Sequence, residues 1–505
     1  MKKTRFFYKK MILLALLLGW MALLNKAAAL NIAQKAAYIK EEEERQQAER
    51  QEEQQAETQD KEQTRQQEER QAGTQEECQA KQQEERQAET PEEQQAGQEN
   101  TQQEKAGLET EKSGSEQVGQ PQTAGQEAEK EDAKEGSSPT VKTWDRKANP
   151  DIRVLLMDTD YQTFYHPSVT VSYGGNTVTY TPESPEFDNG PVTIPAQEDG
   201  IEISSIRRQD GAPVYQGSME IRRQDGALLL INRLPLETYL EAVVPSEMPS
   251  SYEMEALKAQ AVCARTYAWK QMEEGRLQEY GADVDDSVNY QVYGNISPQD
   301  STTRAVRETE GEVICQNGEL IEAYYFSTSA GATSTDEIWG AEEAASYLKS
   351  VSCTFDAEEP WGKWSVEIPW SSVEQRAQSH EAGGALKGLE AIKKNQSGAV
   401  ISLRVVMEEA SFEVSEEYAI REFLSPKDCT ITGQNGMEVQ GGQLLPSAYF
   451  TINCIPGETV CIEGGGYGHG VGMSQTAADQ MAKEGYTYGE ILDYFFKDIE
   501  ILKAR

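Results

Sequence analysis

Residues 41–140 constrain this chain most strongly, because they contain no phenylalanine, tryptophan or tyrosine. Glutamine occupies 24 of these positions, and the segment has a net charge of −18. A pattern recurs every 16 residues, at 51–58, 67–74 and 83–90, but alanine is its only apolar member. Solenoid repeats and coiled coils need larger apolar side chains to pack. Because such a segment cannot offset its chain entropy by burial, we predict a disordered Gln/Glu-rich linker over 33–144.

Residues 1–32 have the composition of an export signal. Lysines and one arginine precede an unbroken apolar run from Met11 to Leu24. The run is shorter than the roughly 20 residues of a membrane span, which favours a signal peptide cleaved near 27–29. Extended to Ile32, the same stretch would be an uncleaved signal anchor. Either way the remainder is expected outside the cytoplasm, held at the cell membrane or secreted.

The linker then has two interpretations. It is either a spacer that reaches from the membrane to the cell wall, or a low-complexity expansion with no role beyond solubility.

Residues 145–505 have the pattern of a folded domain. Runs rich in β-branched and aromatic residues, bounded by turn residues, predict strands at 152–156, 169–173, 176–180, 201–204, 312–315, 321–326, 399–407 and 460–463. The Asp-Gly pairs at 210–211 and 225–226 predict hairpin turns. We expect a mostly antiparallel α+β fold with a few helices, in one globular domain that has room for an inserted β-rich subdomain.

Capping patterns indicate three helices. The first spans about 251–274 after a capping box formed by Ser250 and Glu253. The second spans about 474–484, and the last begins at Thr487 with a second capping box.

The cysteines and histidines do not form a zinc pattern. No C-x2-C spacing occurs, and the three histidines are far apart. Six cysteines in the folded part allow many disulfide pairings, and a bond between Cys454 and Cys461 that closes a hairpin is one of them. Cys263 lies in an alanine-rich helix and is predicted to be a small buried hydrophobe.

Glu247 is the strongest candidate for chemistry. It lies between Pro245 and Pro249, which stiffen the chain and remove backbone donors, and Met248 is beside it. A carboxyl group held in an apolar, rigid turn at a helix start would have a raised pKa and could serve as a general acid. The alternative is an exposed glutamate favoured by the helix dipole.

Lys258 and Arg265 follow on the predicted helix, seven residues apart and therefore on one face. Two cations there could hold a substrate carboxylate or orient Glu247. They could equally form a solvated face.

The segment 464–475 has six glycines within nine positions and presents Tyr467 and His469 just before a helix. Glycines allow a backbone to approach a ligand closely. The spacing matches neither a dinucleotide fingerprint nor a P-loop, so nucleotide binding is not supported. A glycine-rich turn with a packed tyrosine is the alternative.

Taken together, these motifs resemble the stage II sporulation protein D family. The resemblance covers about residues 150–500 and rests on many motifs in one order, namely 215–218, 231–240, 243–249, 256–268, 290–294, 323–329, Trp339, 445–450 and 466–475. It implies nothing about the linker.

The resemblance implies a peptidoglycan lytic transglycosylase, which cleaves glycan strands already stripped of stem peptides during engulfment of the forespore. In that mechanism one glutamate protonates the glycosidic oxygen and then accepts the C6 hydroxyl proton, and a 1,6-anhydro-muramyl end forms. Glu247 matches the catalytic acid by position. The residues that we assign to substrate binding, the first three by family position and the others by extension, are Lys258, Arg265, Tyr467, Gln260, His469 and Gln475.

No cofactor is implied. Some members hold zinc through Cys and His in the stretch that corresponds to 327–333, but this chain has Ala330 and Gly331 there and neither of those ligand types, so we predict no metal. The implied partners are peptidoglycan glycan strands, a peptidoglycan amidase and membrane partners of the engulfment machinery. Nucleic acid is not expected as a partner, because residues 141–505 carry a net charge of −29.

Two non-enzymatic functions stay open. The domain could be an amidase enhancer or wall-binding module that does not cleave glycan, or the protein could be a tether whose functional part is 41–140. The joint presence of Glu247, Lys258, Arg265 and Tyr467 favours catalysis, because an inactive module could have lost any of them. A vegetative role in wall remodelling would leave the same motifs.

Overall fold

The computed structural model of this protein describes residues 142–380 and 383–504. Its strands, in chain order, are β1 Lys142–Trp144, β2 Asp151–Leu155, β3 Val169–Tyr173, β4 Asn176–Tyr180, β5 Val192–Ile194, β6 Ile201–Ile203, β7 Val214–Tyr215, β8 Ser218–Gln224, β9 Ala227–Pro235, β10 Val284–Asp285, β11 Glu312–Gln316, β12 Glu319–Leu320, β13 Tyr325–Phe326, β14 Gly331–Ala332, β15 Ser352–Cys353, β16 Trp364–Pro369, β17 Leu386–Lys394, β18 Val400–Met407, β19 Ser411–Ser415, β20 Thr430–Gly433, β21 Glu438–Gln440, β22 Phe450–Ile455, β23 Thr459–Gly464, β24 Met473–Ser474 and β25 Glu500–Ala504.

The helices in these ranges are α1 Leu236–Glu247, α2 Met254–Glu274, α3 Asp300–Glu308, α4 Trp370–Gln378, α5 Glu417–Phe423, α6 Gln475–Lys483 and α7 Tyr488–Phe495. Short 3-10 helices occupy Pro185–Asn189, Gln278–Tyr280 and Asp336–Trp339. None of the described helices has both the length and the apolar composition that a bilayer span requires. The predicted signal segment at 1–32, and the linker up to residue 141, lie outside the described residues.

The strands pair mostly antiparallel, which confirms the predicted α+β class. The larger sheets have the strand orders β1-β25-β11-β12, β10-β2-β9-β8-β5, β4-β3-β6-β7, β21-β20-β16-β23-β22 and β17-β18-β19. Two further sheets have two strands each, β13-β24 and β14-β15. Among the described pairs, β1–β25, β2–β10 and β13–β24 are parallel.

Helix α2 is the central element, because its small side chains let other elements approach from several sides. Thirteen of its 21 residues are buried, five of them alanines. One side of α2 packs into a core with α1 and the sheet of β2, β8 and β9, and another side packs with α6 and α7. Residues 364–462 bury a third core between the β16 and β17 sheets.

The ends of the last two predicted helices are confirmed. The Ser474 hydroxyl accepts from the Ala477 N–H as the N-cap of α6. Thr487 and Glu490 form the predicted capping box of α7. Both caps are local in sequence, and for α7 the local pattern was sufficient to predict the cap.

The predicted start of α2 is wrong by three residues. Helix α2 begins at Met254, and its N-cap Glu253 makes no side-chain cap. The Glu253 N–H instead donates to Oδ1 of Asp479 on α6, at 2.7 Å. A carboxylate that is remote in sequence therefore accepts the hydrogen bond at the helix start, where Ser250 was predicted to be the capping residue. The end of α2 at Gly275 is as predicted.

The larger correction concerns Glu247, which was placed in a turn at a helix start. Residues 236–247 are themselves helical, with Pro245 inside the last turn, and Glu247 is the final residue of α1. The helix dipole therefore presents its negative end near this carboxyl group and does not favour the charged form.

Three further expectations change. The strand predicted at 321–326 is reduced to β13, because the Tyr324 N–H donates to the Glu322 carbonyl in a tight turn. The linker was predicted three residues too long, since β1 pairs with β25. Of the two Asp-Gly pairs, only Asp225–Gly226 forms a two-residue hairpin loop, with φ of 53° and 78°. At the other site, Arg208 pairs with Gly211 and the loop is 209–210.

All six cysteines between residues 142 and 504 are free. Cys454 faces Val460 across the β22–β23 hairpin, whereas Cys461 faces Asn453. Because neighbouring strand positions alternate between faces, the two thiols point to opposite sides of the sheet. The pairing raised from the sequence is therefore not made. Cys263 is fully buried in α2, as predicted.

Arg265 holds several elements together from inside the core. Its guanidinium is fully buried and makes a bidentate ion pair with Glu237, in the first turn of α1, through two bonds of 2.7 Å. Its remaining N–H groups donate to the carbonyls of Ala261, Val306 and Glu312. One side chain of α2 thus fixes α1, α3 and the start of β11.

We expect Arg265→Met to lower the free energy of unfolding by about 3–5 kcal/mol, because Glu237 would stay buried without its partner. Arg307→Met is the matched control, since Arg307 also links α3 to α1, through Glu241, but its side chain is 71% exposed. The control should cost less than about 1 kcal/mol. Urea unfolding of both variants measures the difference, and equal losses would contradict the assignment.

Candidate functional site

A cleft of about 720 Å³ opens where the end of α1 meets several loops. Its walls are mainly aromatic, and a few polar groups are interspersed. The lining residues are Glu247, Pro249, Tyr252, Tyr267, Val288, Asn289, Tyr290, Tyr324, Tyr325, Phe326, Ser327, Thr328, Trp339, Glu359, Pro360, Trp361, Met437, Tyr467, Gly468, His469, Gln475 and Thr476. A concave apolar surface with few polar groups is typical of a ligand site.

Hydrogen bonds to the loop that follows β10 hold Glu247 in place. Its Oε1 accepts from the Val292 N–H at 2.6 Å. In the same turn of α1, the Ser246 hydroxyl accepts from the backbone N–H groups of Asn295 and Ile296, each at 3.1 Å. The end of the helix and the loop are therefore fixed to each other, and the carboxyl group has little freedom to turn away from the cleft.

Burial raises the pKa of Glu247 to about 7. Desolvation is the dominant cause, and the hydrogen bonds from the Val292 N–H and the Tyr325 hydroxyl act in the opposite direction. The Tyr325 oxygen itself accepts from the Gln291 amide at 2.9 Å, which leaves its O–H to donate. Near pH 7 the group can therefore both give and take a proton, as a general acid and base must.

Gln475 and Gln260 lie directly behind the acid. The Gln475 amide donates to the Glu247 carbonyl at 3.1 Å and to Oε1 of Gln260 at 3.4 Å. Gln260 is fully buried on α2 and does not line the cleft, whereas Gln475 does. Gln260 and Gln475 thus lie beside Glu247, but only Gln475 lines the cleft and can reach a ligand there.

The glycine-rich segment forms one wall of the cleft. Tyr467 pairs its backbone with Thr328, and its ring is 42% exposed and lies 4.7 Å from the ring of Trp361. Gly472 has φ +81°, and a Cβ there would meet the Tyr324 carbonyl oxygen at 2.1 Å. The glycine is required because the segment passes directly over the β13 backbone.

His469 is a neutral aromatic member of the wall. Its Nδ1 accepts from the Val471 N–H at 3.1 Å, and its ring packs edge-on against Trp339 at 5.1 Å. Burial lowers its pKa to about 4. At neutral pH the ring therefore carries no charge, and it does not serve as a second acid.

Lys258 and Arg265 do not line the cleft. Lys258 bonds to Glu255 at 2.9 Å and to Glu308 at 2.8 Å, on the side of α2 that faces α3. Arg265 is held by Glu237, as described above. Direct binding of substrate by either cation does not fit these positions. Arg265 joins α2 to α1, the helix that carries Glu247, whereas Lys258 joins α2 to α3.

Sequence reasoning missed two kinds of site residue. The first is the set of cleft aromatics, of which Tyr290, Tyr324, Tyr325 and Trp339 lay within recognised motifs without being assigned a role. The second is Glu359, which also lines the cleft and had no motif around it. Clustering of aromatics in otherwise polar loops was the available indication for the first set, and nothing local pointed to the second.

The cleft is electrostatically one-sided. Among its lining residues, Glu247 and Glu359 are the carboxyl groups, and none is a lysine or an arginine. Within 142–380 and 383–504, no three His, Cys, Asp or Glu side chains converge in a way that could hold a metal ion. The chemistry that Glu247 can perform here is proton transfer to and from a ligand in the cleft.

Comparison with known proteins relates this site to characterised chains. Residues 224–315, which contain α1, α2 and Glu247, match the family model described as Stage II sporulation protein. The chain is 33% identical over 288 residues to Stage II sporulation protein D of Bacillus subtilis (strain 168). The aligned region covers 54% of this chain and 76% of that protein.

Two other relatives are similarly distant. Identity to Stage II sporulation protein D of Bacillus amyloliquefaciens is 30% over 293 residues, with 54% of this chain and 76% of that protein covered. Identity to the amidase enhancer of Bacillus subtilis (strain 168) is 29% over 291 residues, and the aligned region covers 51% of this chain and 39% of that protein.

We expect Glu247→Gln to stabilise the fold above neutral pH. Because the folded protein keeps Glu247 protonated to about pH 7 while the unfolded chain loses that proton near pH 4.5, wild-type stability falls as pH rises through this window. The variant lacks this loss and should be more stable by about 3 kcal/mol at pH 8, with little difference at pH 4.5. Urea unfolding at several pH values tests this, with Glu241→Gln on the same helix as control. Parallel pH profiles for wild type and Glu247→Gln would contradict the raised pKa.

Proposed function

Because the chain belongs to the stage II sporulation protein D family, we propose that it is a peptidoglycan lytic transglycosylase that cleaves denuded glycan strands. The observation that carries the proposal is Glu247, a desolvated carboxyl group with a pKa of about 7 at an aromatic cleft. Such a group is protonated often enough at neutral pH to donate, and basic enough afterwards to accept.

The proposed reaction uses one carboxyl group twice. Glu247 first donates its proton to the glycosidic oxygen between muramyl C1 and the next sugar, and the C1–O bond breaks. The resulting carboxylate then accepts the proton of the muramyl C6 hydroxyl as the C6 oxygen bonds to C1. The products are a 1,6-anhydro-muramyl end and a new sugar hydroxyl, and Glu247 is again protonated.

This route explains how one acid near neutrality can suffice. Hydrolysis of a glycoside usually employs a second carboxylate, as a base for water or as a nucleophile. Here the attacking oxygen belongs to the substrate, so no water needs activation. The hydrogen bonds from Val292 and Tyr325 would stabilise the carboxylate that exists between the two proton transfers.

The cleft walls suit a saccharide. A pyranose ring presents C–H groups on its faces and hydroxyl groups at its rim. Aromatic rings of the cleft lining such as Tyr467 and Trp361 can pack against the faces, and the Gln475 amide and Glu359 carboxylate can bond to the rim.

We propose a cell-wall setting consistent with this chemistry. The domain would act outside the cytoplasm, tethered to the membrane by residues 1–32 or secreted after cleavage. A peptidoglycan amidase would remove stem peptides first, and membrane partners of the engulfment machinery would place both enzymes at the wall of a sporulating cell.

A second candidate function is that of an amidase enhancer that binds wall or amidase without cleaving glycan. The observation that favours it is the 29% identity to a protein of that name. The two candidates differ in whether glycan bonds are broken, and in whether Glu247 is required.

The deciding experiment is product analysis on the full-length protein, wild type and Glu247→Gln. Each is incubated with peptidoglycan glycan strands, with and without prior amidase treatment, and the sugars are identified by mass spectrometry. We expect anhydro-muramyl ends from the wild type on amidase-treated strands, and a loss of about 10²–10⁴-fold in the variant.

Other outcomes point elsewhere. Reducing ends in place of anhydro ends would mean hydrolysis and would overturn the single-acid mechanism. No cleavage by the wild type, with the strands retained, would favour the enhancer function, and stimulation of an amidase by both proteins would then be measured.

The pH dependence of cleavage gives an independent prediction. Since Glu247 must be protonated to act, kcat/KM should fall about tenfold per pH unit above a pKa of about 7.

Tyr325→Phe removes a hydrogen bond to the Glu247 carboxylate, which should raise the pKa of Glu247 and move the falling limb of the pH profile to higher pH by on the order of one unit. Tyr267→Phe, which removes another cleft hydroxyl, is the control and should leave the limb in place. An unmoved limb in Tyr325→Phe would refute the role of its hydroxyl.

A further inference from the structure

We propose that Glu359 is a specificity-determining residue that excludes a charged sugar substituent from its part of the cleft. The inference rests on the proposed function. It assigns to Glu359 the recognition of an uncharged N-acetyl sugar and the rejection of a muramyl unit whose lactyl group is a free carboxylate.

The backbone around Glu359 is held from both sides, so its side chain has a defined position. The Gly362 N–H donates to the Glu359 carbonyl at 2.8 Å, and the Glu359 N–H donates to the Asp356 carbonyl at 3.1 Å. The Gln434 amide from the β20–β21 turn also bonds to the Glu359 carbonyl. Tight turns tied to a neighbouring hairpin make a rigid wall.

The carboxylate is only partly occupied by the protein. Its Oε1 accepts from the Gln480 amide of α6 at 2.6 Å. Among the described residues, no other side chain or backbone group bonds to this carboxylate, and it lines the cleft. One oxygen is therefore available to a ligand, and its direction is set by the bond to Gln480.

An aromatic platform lies two residues along the chain. Trp361 and Tyr467 have ring centroids 4.7 Å apart and are tilted by 48°, and both line the cleft beside Glu359. An aromatic surface next to a hydrogen-bond acceptor matches a sugar that presents a C–H face to a ring and a hydroxyl or amide N–H to the acceptor.

The charge of the cleft supplies the discrimination. No lysine or arginine is among the lining residues. The nearby Lys483 is already bonded to Asp479 at 2.6 Å. Lys483 also interacts electrostatically with Glu359, but it is not among the residues that line the cleft. A ligand carboxylate beside Glu359 would therefore meet a like charge with no cation in the cleft lining to compensate it, which costs affinity in a partly dehydrated site.

Denuded glycan makes this discrimination useful. An amidase hydrolyses the bond between the lactyl group and the stem peptide, so every second sugar gains a free carboxylate. A cleft that rejects the carboxylate at one subsite binds the alternating strand in only one of its two registers. Glu359 would in this way help to place a muramyl C1 at Glu247.

The test measures binding in the Glu247→Gln background, where turnover is blocked and Glu359 is the remaining cleft carboxylate. The probes are a β-1,4 trimer of N-acetylmuramic acid as the free acid, the same trimer with lactyl carboxamides, and a trimer of N-acetylglucosamine. Because every unit of the first two probes bears a lactyl group, no register avoids Glu359. Dissociation constants are obtained by calorimetry at low salt with the full-length protein.

We expect the carboxamide trimer to bind about tenfold more tightly than the free acid. Adding Glu359→Gln, which can still accept from Gln480, should reduce that ratio to below about threefold. The matched control is Glu358→Gln, an exposed carboxylate next in the chain that does not line the cleft, and it should leave the ratio unchanged.

The possible failures are distinguishable. If the trimers bind and the acid-to-amide ratio is the same with and without Glu359, the role of Glu359 is wrong and the proposed function stands. If no trimer binds to any variant, the saccharide cleft itself is wrong and both proposals fail.

Discussion

The buried ion pair between Arg265 and Glu237 is the interaction on which the arrangement of the site depends. It joins the start of α1 to the middle of α2, and the remaining guanidinium donors reach α3 and β11. Removing one member would leave a charge in the core, so the geometry is enforced by the cost of any alternative. Glu247 lies at the other end of α1, about 15 Å along the helix axis from Glu237. The catalytic candidate is therefore positioned by a pair that never touches the cleft.

The two ends of α1 treat the same residue type in opposite ways. Glu237 receives a full set of charged and backbone donors, namely Arg265 and the Gly311 N–H. Glu247 is desolvated with no cation beside it, and only the Val292 N–H and the Tyr325 hydroxyl favour its charged form. One carboxyl group thus contributes to stability, while the other is held in a state that costs stability and confers reactivity.

Sequence reasoning succeeded where the determining contacts are local. The capping box at Thr487, the end of α2 at Gly275 and the hairpin at Asp225–Gly226 follow from neighbours in the chain.

It failed where remote groups decide. Asp479, and not Ser250, accepts a hydrogen bond from the backbone N–H at the start of α2. The ion pair with Glu237 holds Arg265 in the core, away from any surface that a ligand could reach. Motif resemblance selected Glu247, Tyr467, His469 and Gln475, which do line the cleft. Glu359 could not be found this way, because one glutamate among many acidic residues has no local mark until Gln480 and Trp361 are brought beside it.

The absence of lysine and arginine from the described cleft lining has a consequence for inhibition. Bond cleavage at an anomeric carbon develops positive charge on the sugar ring, and a wall with Glu247 and Glu359 favours that charge. Small cationic sugar mimics, such as ring-nitrogen analogues, should therefore be better ligands than the anionic fragments of the wall itself. Their affinity should increase as Glu247 ionises, so the carboxyl group that would limit turnover at alkaline pH under the proposed mechanism would strengthen inhibition there.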